Sequence, residues 1–167
     1  MRRSSGSGRG DWEGRTRSVL FFGFGEEIGW RGYATPKIEE TGRDARQAAL
    51  ILSIFWAIWH WPLFFYAQSG LYHMNPFMIV GWLIFIILGA QLLTWVYKNS
   101  GQSVFIVGLF HGTLDIVLLT GQSTPLAVGA INAVFMFAGL GVARLYGPTL
   151  LIRARETVGS GNSSGLS

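Results

Sequence analysis

Four long apolar stretches dominate the sequence, at about 47 to 67, 76 to 97, 103 to 120 and 125 to 146. Each is close to the ~20 residues that an α-helix needs to cross a hydrocarbon core. The connectors between them are short, so neighbouring helices are expected to run antiparallel. The pattern predicts an all-α, polytopic transmembrane helix bundle with four full spans. A fifth apolar piece, Ser18 to Gly25, runs for only eight residues before Glu26 and Glu27 interrupt it. It predicts a short N-terminal helix that carries the glutamate pair, continues through Trp30 and Tyr33, and ends at Pro36. The interruption comes too soon for a signal peptide.

Composition agrees with a bilayer as solvent. Half of the 167 residues are hydrophobic, 13% are charged and the mean hydropathy is +0.36, so a soluble domain of this size would leave too much apolar surface wet. Seven tryptophans and twelve phenylalanines suit helix packing and the membrane interface. The absence of cysteine excludes disulfides. Residues 1–17 and 153–167 are rich in Gly, Ser and Arg or otherwise lack apolar side chains to bury, so both ends are expected to be disordered tails around a membrane core at 18–152.

The formal charge of +4 does not predict a nucleic-acid partner. Most arginines lie in the tails and one connector, and no stacking or basic-stripe module accompanies them. Lys37, Arg43 and Arg46 in the connector at 34–46, Lys98, and Arg153 and Arg155 alternate with connectors 68–75 and 121–124, which carry no Lys or Arg. The positive-inside bias therefore places 34–46, Lys98 and the C-terminus in the cytoplasm, in an integral protein expected at the plasma membrane. The arginines of the N-terminal tail run against that bias if the first helix spans.

Chemistry is concentrated in three places. The run GFGEEIGWRGYATP sets Glu26 and Glu27 in apolar surroundings with Arg31 one turn beyond Glu27. Charge at the middle of a bilayer costs roughly 2.5 to 3.5 kcal/mol on insertion scales, so these groups have to pair or line a wet cavity. Arg31 can pair with Glu27 at the i, i+4 spacing, which leaves Glu26 to face something else as a general base or acid. His60 lies in SIFWAIWHWP with Trp56 one turn before it, placed to cover the imidazole. His111 precedes Asp115 by one turn, beside Gly108 and Gly112, a small-xxx-small pair that invites close approach of another helix.

Taken singly, each site also reads as packing: a satisfied core histidine, a structural ion pair, a local His–Asp hydrogen bond. Counted from the charged connectors, however, Glu26, His60, His111 and Asp115 all fall roughly 10 to 20 Å deep. Three helices bringing acid or imidazole to one level favour a common hydrated site. His73, in a loop with Tyr72 and Asn75, has no assigned role. Residues 161–165 match G-x-S-x-G only in a low-complexity tail, and there is no H-E-x-x-H helix or P-loop.

Together the three motifs resemble those of the CAAX proteases and bacteriocin-processing enzymes, the CPBP or Abi family of intramembrane metalloproteases. The family pattern is E-E-x-x-x-R, F-x-x-x-H and H-x-x-x-N or H-x-x-x-D on successive helices. Here it reads Glu26-Glu27-x-x-x-Arg31, Trp56-x-x-x-His60 with tryptophan for phenylalanine, and His111-x-x-x-Asp115. The resemblance implies a catalytic set of Glu26, Glu27, His60, His111 and Asp115, supported by Arg31 and Trp56. Glu26 and His60 would activate water, while His111 and Asp115 would serve the oxyanion side or position the water. Glu27 and Arg31 would hold the site together. Zinc is a candidate cofactor, with Glu26, His60 and His111 as its ligands, and glutamate and histidine could also act unaided. Relatives usually have several helices before the glutamate motif, so the core is expected to be N-terminally truncated.

The implied activity is hydrolysis of a peptide bond near the cytoplasmic side, in prenylated CAAX-type tails or small peptides. Two other classes share these features: a non-catalytic scaffold or immunity protein of the same fold, and a small proton or cation transporter.

Overall fold

A computed structural model of the chain describes residues 18–119 and 124–152; the expected tails at 1–17 and 153–167 lie outside the described residues. All described elements are helical. Helix α1 consists of two wide-wound segments, Ser18–Glu26 and Ile28–Ala34, and α2 (Thr35–Glu39) continues it. Then come α3 (Ala45–Trp59), α4 (Pro76–Asn99), α5 (Val104–Leu119) and α6 (Pro125–Leu145), with short 3-10 turns at Trp61–Phe65 and Gly70–His73 between α3 and α4.

Polar residues start the helices where the apolar runs begin. Asp44 and Gln47 form a reciprocal capping box on α3, and Asn75 and Thr124 cap α4 and α6 ahead of a proline in the first turn. Helix α1 is wound so that backbone bonds reach the fifth residue back, as from Thr35 N–H to the Trp30 carbonyl. Such π-winding is rare and often accompanies functional sites.

Two predicted helix ends move. Pro36 does not stop the first helix: it falls in the opening turn of α2, where a missing N–H is tolerated, and the helix runs on to Glu39. The α-helix predicted to reach 67 instead ends at Trp59, with His60 as its C-cap, because Pro62 has no N–H for the Ile58 carbonyl; the His60 N–H closes the last turn on the Trp56 carbonyl at 3.2 Å. The chain continues as a tighter 3-10 turn.

Ala45–Phe65, Pro76–Asn99 and Leu126–Leu145 are long and apolar enough to cross a bilayer. Helix α5, with sixteen residues, is the shorter fourth apolar rod. Helix α4 lies at the centre: α3 and α6 pack along it, α5 touches it, and α1 lies along α5. One core cluster joins Ala45 and Ala49 of α3, Leu92 of α4, Phe135 and Val142 of α6 and Leu150 beyond it; the other joins Trp56, Ala90, Leu93, Tyr97 and Val107. Large apolar side chains such as Phe55, Phe137 and Leu126 point outward. The chain is thus a polytopic helical membrane protein whose outer face meets lipid and whose polar groups turn inward.

Candidate active site

Helices α1 and α5 come together because neither has side chains in the way. A Cβ on Gly23 would stand 2.5 Å from the Gly108 carbonyl oxygen and 2.8 Å from the Gly112 backbone. The small-xxx-small stripe read from the sequence is therefore a groove for α1. This approach lets Glu27 reach His111 across the interface, with Oε1 2.8 Å from Nδ1. The same oxygen accepts from Arg31 at 2.6 Å, the i, i+4 pair expected from the spacing. Glu27 and Arg31 are fully buried. Arg31 also points an N–H at the Ala90 carbonyl of α4, 3.5 Å away, and lies over the Trp56 ring at 5.6 Å.

Glu26 takes a different partner. Its Oε2 accepts from the Trp56 indole N–H at 2.8 Å, a bond spanning thirty residues between α1 and α3. The Trp56 ring meets His60 edge-on at 5.7 Å and His111 edge-on at 5.4 Å. Trp56 is consequently the hub on which Glu26, His60 and His111 meet. Glu26 and His60 remain partly exposed, whereas Glu27 and His111 are buried.

The partners dictate the state of both imidazoles. His60 Nδ1 stands 2.8 Å from the Trp56 carbonyl, which can only accept, so Nδ1 carries a proton and the neutral ring presents Nε2 as its acceptor. His111 Nδ1 faces a carboxylate held by Arg31, and the same logic gives an Nδ1–H and an Nε2 turned toward Asp115. Asp115 Oδ2 is 3.8 Å from that nitrogen, beyond a direct hydrogen bond. Orientation of His111 thus comes from Glu27 on another helix rather than from Asp115 on its own.

The sequence-derived residues gather around one hub, with different exposures and partners. Sequence reasoning missed the indole N–H on Glu26, the Ala90 carbonyl behind Arg31, and Trp82 of α4, whose ring lies edge-on to His60 at 6.0 Å. The Trp56–His60 spacing was the only local signal of the first. His73, assigned no role, faces the Ala67 carbonyl at 3.1 Å within its own loop.

Among the described residues no three histidine, aspartate or glutamate side chains stand together as a metal site. Glu26, His60 and His111 each meet the Trp56 indole rather than one another. The arrangement does not fit zinc held by those three. Beside His60, and sharing Trp82 with it, an apolar cavity of 480 Å³ opens between α3 and α4, walled by residues such as Ile58, Trp61, Phe64 and Ile86.

Residues 15–117, more than half of the chain, match the family model described as Type II CAAX prenyl endopeptidase Rce1-like. The chain belongs to this family. The matched region takes in Glu26, Glu27, Arg31, Trp56, His60, His111 and Asp115. A curated protein of Methanococcus maripaludis, CAAX prenyl protease 2, is 28% identical over 94 residues, which make up 54% of this chain and 34% of that protein. The chain therefore aligns with about a third of that relative's length. No solved structure matches.

Proposed function

We propose that this chain carries the catalytic centre of a membrane-embedded endopeptidase, acting on prenylated CAAX-type or small peptide substrates. The observation that carries the reading is the meeting of Glu26, His60 and His111, from three helices, on the Trp56 indole. Membership of the Rce1-like family supports the same reaction class.

In the proposed reaction, a water lies between the Glu26 carboxylate and the bare Nε2 of His60. Glu26 takes a proton as the water oxygen bonds to the peptide carbonyl carbon, and His60 accepts the water's second hydrogen bond. His111, backed by Glu27 and holding throughout the cycle a proton that solvent delivers to Nε2 before the attack, donates a hydrogen bond to the carbonyl oxygen, with Asp115 beside it. When the C–N bond breaks, Glu26 returns its proton to the departing amine. Glu27 and Arg31 act as positioning residues: both are buried away from substrate, and they fix the ring of His111. The 480 Å³ cavity beside His60 falls within the ~300–1,000 Å³ common for ligand pockets and suits an apolar substituent on the substrate.

The basic connector at 34–46 supports a cytoplasmic position for that end of the bundle, in the cell membrane. A membrane-impermeant thiol reagent acting on a Thr41→Cys variant in cells reports the side.

The mechanism is tested with the full chain in liposomes, following cleavage of prenylated and unprenylated peptides by mass spectrometry. Glu26→Ala and His60→Ala are each expected to lower the rate by ~10²-fold or more, the usual range for general acid–base groups. Undiminished cleavage by either variant removes the mechanism, and no cleavage by any form while a partner is still cross-linked favours the scaffold reading.

A further inference from the structure

Between Arg46 and Lys98 the sequence contains no Asp, Glu, Lys or Arg. That interval includes the whole turn from α3 to α4, where a water-facing loop would ordinarily carry charge. Instead Trp59, Trp61, Phe65, Tyr66, Tyr72 and Phe77 are all more than half exposed there. Among the described residues, none buries these rings.

Part of the backbone of this turn is paired within the turn. Ser69 N–H donates to the Tyr66 carbonyl, Tyr72 N–H to Ser69 and Met74 N–H to Leu71. Side chains add to the pairing: Ser69 Oγ accepts from Leu71 N–H, Asn75 Oδ1 from Met78 N–H, and the His73 ring meets the Ala67 carbonyl. An uncharged segment with outward Trp and Tyr rings and a partly paired backbone is matched to the headgroup layer, where apolar ring bodies and polar groups are both solvated.

Length places the segment at the same level. Fifteen residues of α3 rise roughly 22 Å at 1.5 Å per residue. The five-residue 3-10 turn adds roughly 10 Å. Together they span about the ~30 Å hydrocarbon thickness, starting from the charged connector before Ala45. The turn therefore reaches the opposite interface.

We propose that residues 65–77 form an aromatic hairpin that lies in the headgroup layer of the bilayer, at the end opposite the basic connectors. It holds His60 about 10 Å beneath that surface. Its partner is the zwitterionic lipid interface, since the hairpin has no charge with which to select anionic lipid. The inference does not rest on the catalytic reading.

Because the chain has no cysteine, single labels can be placed without altering its background. Nitroxides at Tyr66→Cys and Tyr72→Cys, and at Thr41→Cys in the charged connector, would be compared by power saturation in phosphatidylcholine liposomes. Oxygen and a water-soluble nickel chelate, present on both sides, are the relaxing agents, and circular dichroism checks that each variant is helical. The expected result is chelate accessibility at the two hairpin sites at least ~5-fold below that at Thr41→Cys, with oxygen accessibility high and no change on adding anionic lipid. Chelate accessibility equal to that of Thr41→Cys would make the hairpin an aqueous loop and overturn the proposal. Shielding from both agents would show a protein cover, such as a second copy, and overturn it equally. Neither readout involves cleavage, so failure here is separable from failure of the proposed enzyme.

Discussion

Trp56 shows how one side chain serves two ends. Its ring is packed in the core against α4 and α5, and its N–H reaches Glu26 across to α1. A hydrogen bond to a charged group contributes about 1.5–3 kcal/mol. Trp56→Phe keeps most of the ring and removes that donor, so cleavage is expected to fall by about 10- to 100-fold with helicity unchanged. An unaltered rate, measured on the same peptide with circular dichroism alongside, would show that Glu26 needs no such support. The Glu27–Arg31 pair was legible in the sequence because helical spacing makes it local. The Glu26–Trp56 and Glu27–His111 bonds were not, because each spans at least thirty residues and depends on which faces two helices turn to each other.

At the scale of elements, the α1–α5 crossing determines whether the site exists. Gly108 and Gly112 announced a close approach, but the sequence did not say which helix makes it. The answer is Gly23, whose missing side chain lets two backbones touch. Gly23→Val would drive its Cβ into the Gly108 carbonyl and force the helices apart. The expected outcome is loss of the Glu27–His111 contact and of activity, read by cross-linking between cysteines on α1 and α5 as well as by cleavage. Gly29→Ala, where a Cβ meets nothing within 4 Å, is the matched control and should retain both. Wide winding of α1 and the early end of α3 at Trp59 escaped sequence reasoning for related reasons. Hydrophobic runs report where a helix can be, whereas winding and termination depend on backbone partners such as the donor that Pro62 lacks.

Across the whole molecule, the ends of α3, α4 and α6 are tied by the strand of chain after α6. Asn99 donates to the Trp95 and Leu150 carbonyls and accepts from Ile152 N–H, while Arg46 N–H donates to Pro148. Leu150 plugs the core cluster shared by α3, α4 and α6, and holds a left-handed backbone, φ 52°, to do so. Leu150→Ala should destabilise the protein by about 2–5 kcal/mol in detergent unfolding. The exposed neighbour offers the comparison: Leu151→Ala should stay within ~0.5 kcal/mol. Equal effects would mean that the plug contributes nothing. The sequence reading counted residues 147–152 within the core but showed none of these ties, since their anchors lie about fifty or more residues away. What the sequence determined by itself is the membrane class, the helices, and three short polar motifs, because hydropathy and helical spacing are local properties of a chain. Only the tertiary structure decided which carboxylate serves which histidine, and that an indole joins them, because those pairings follow from how close glycine lets two helices come.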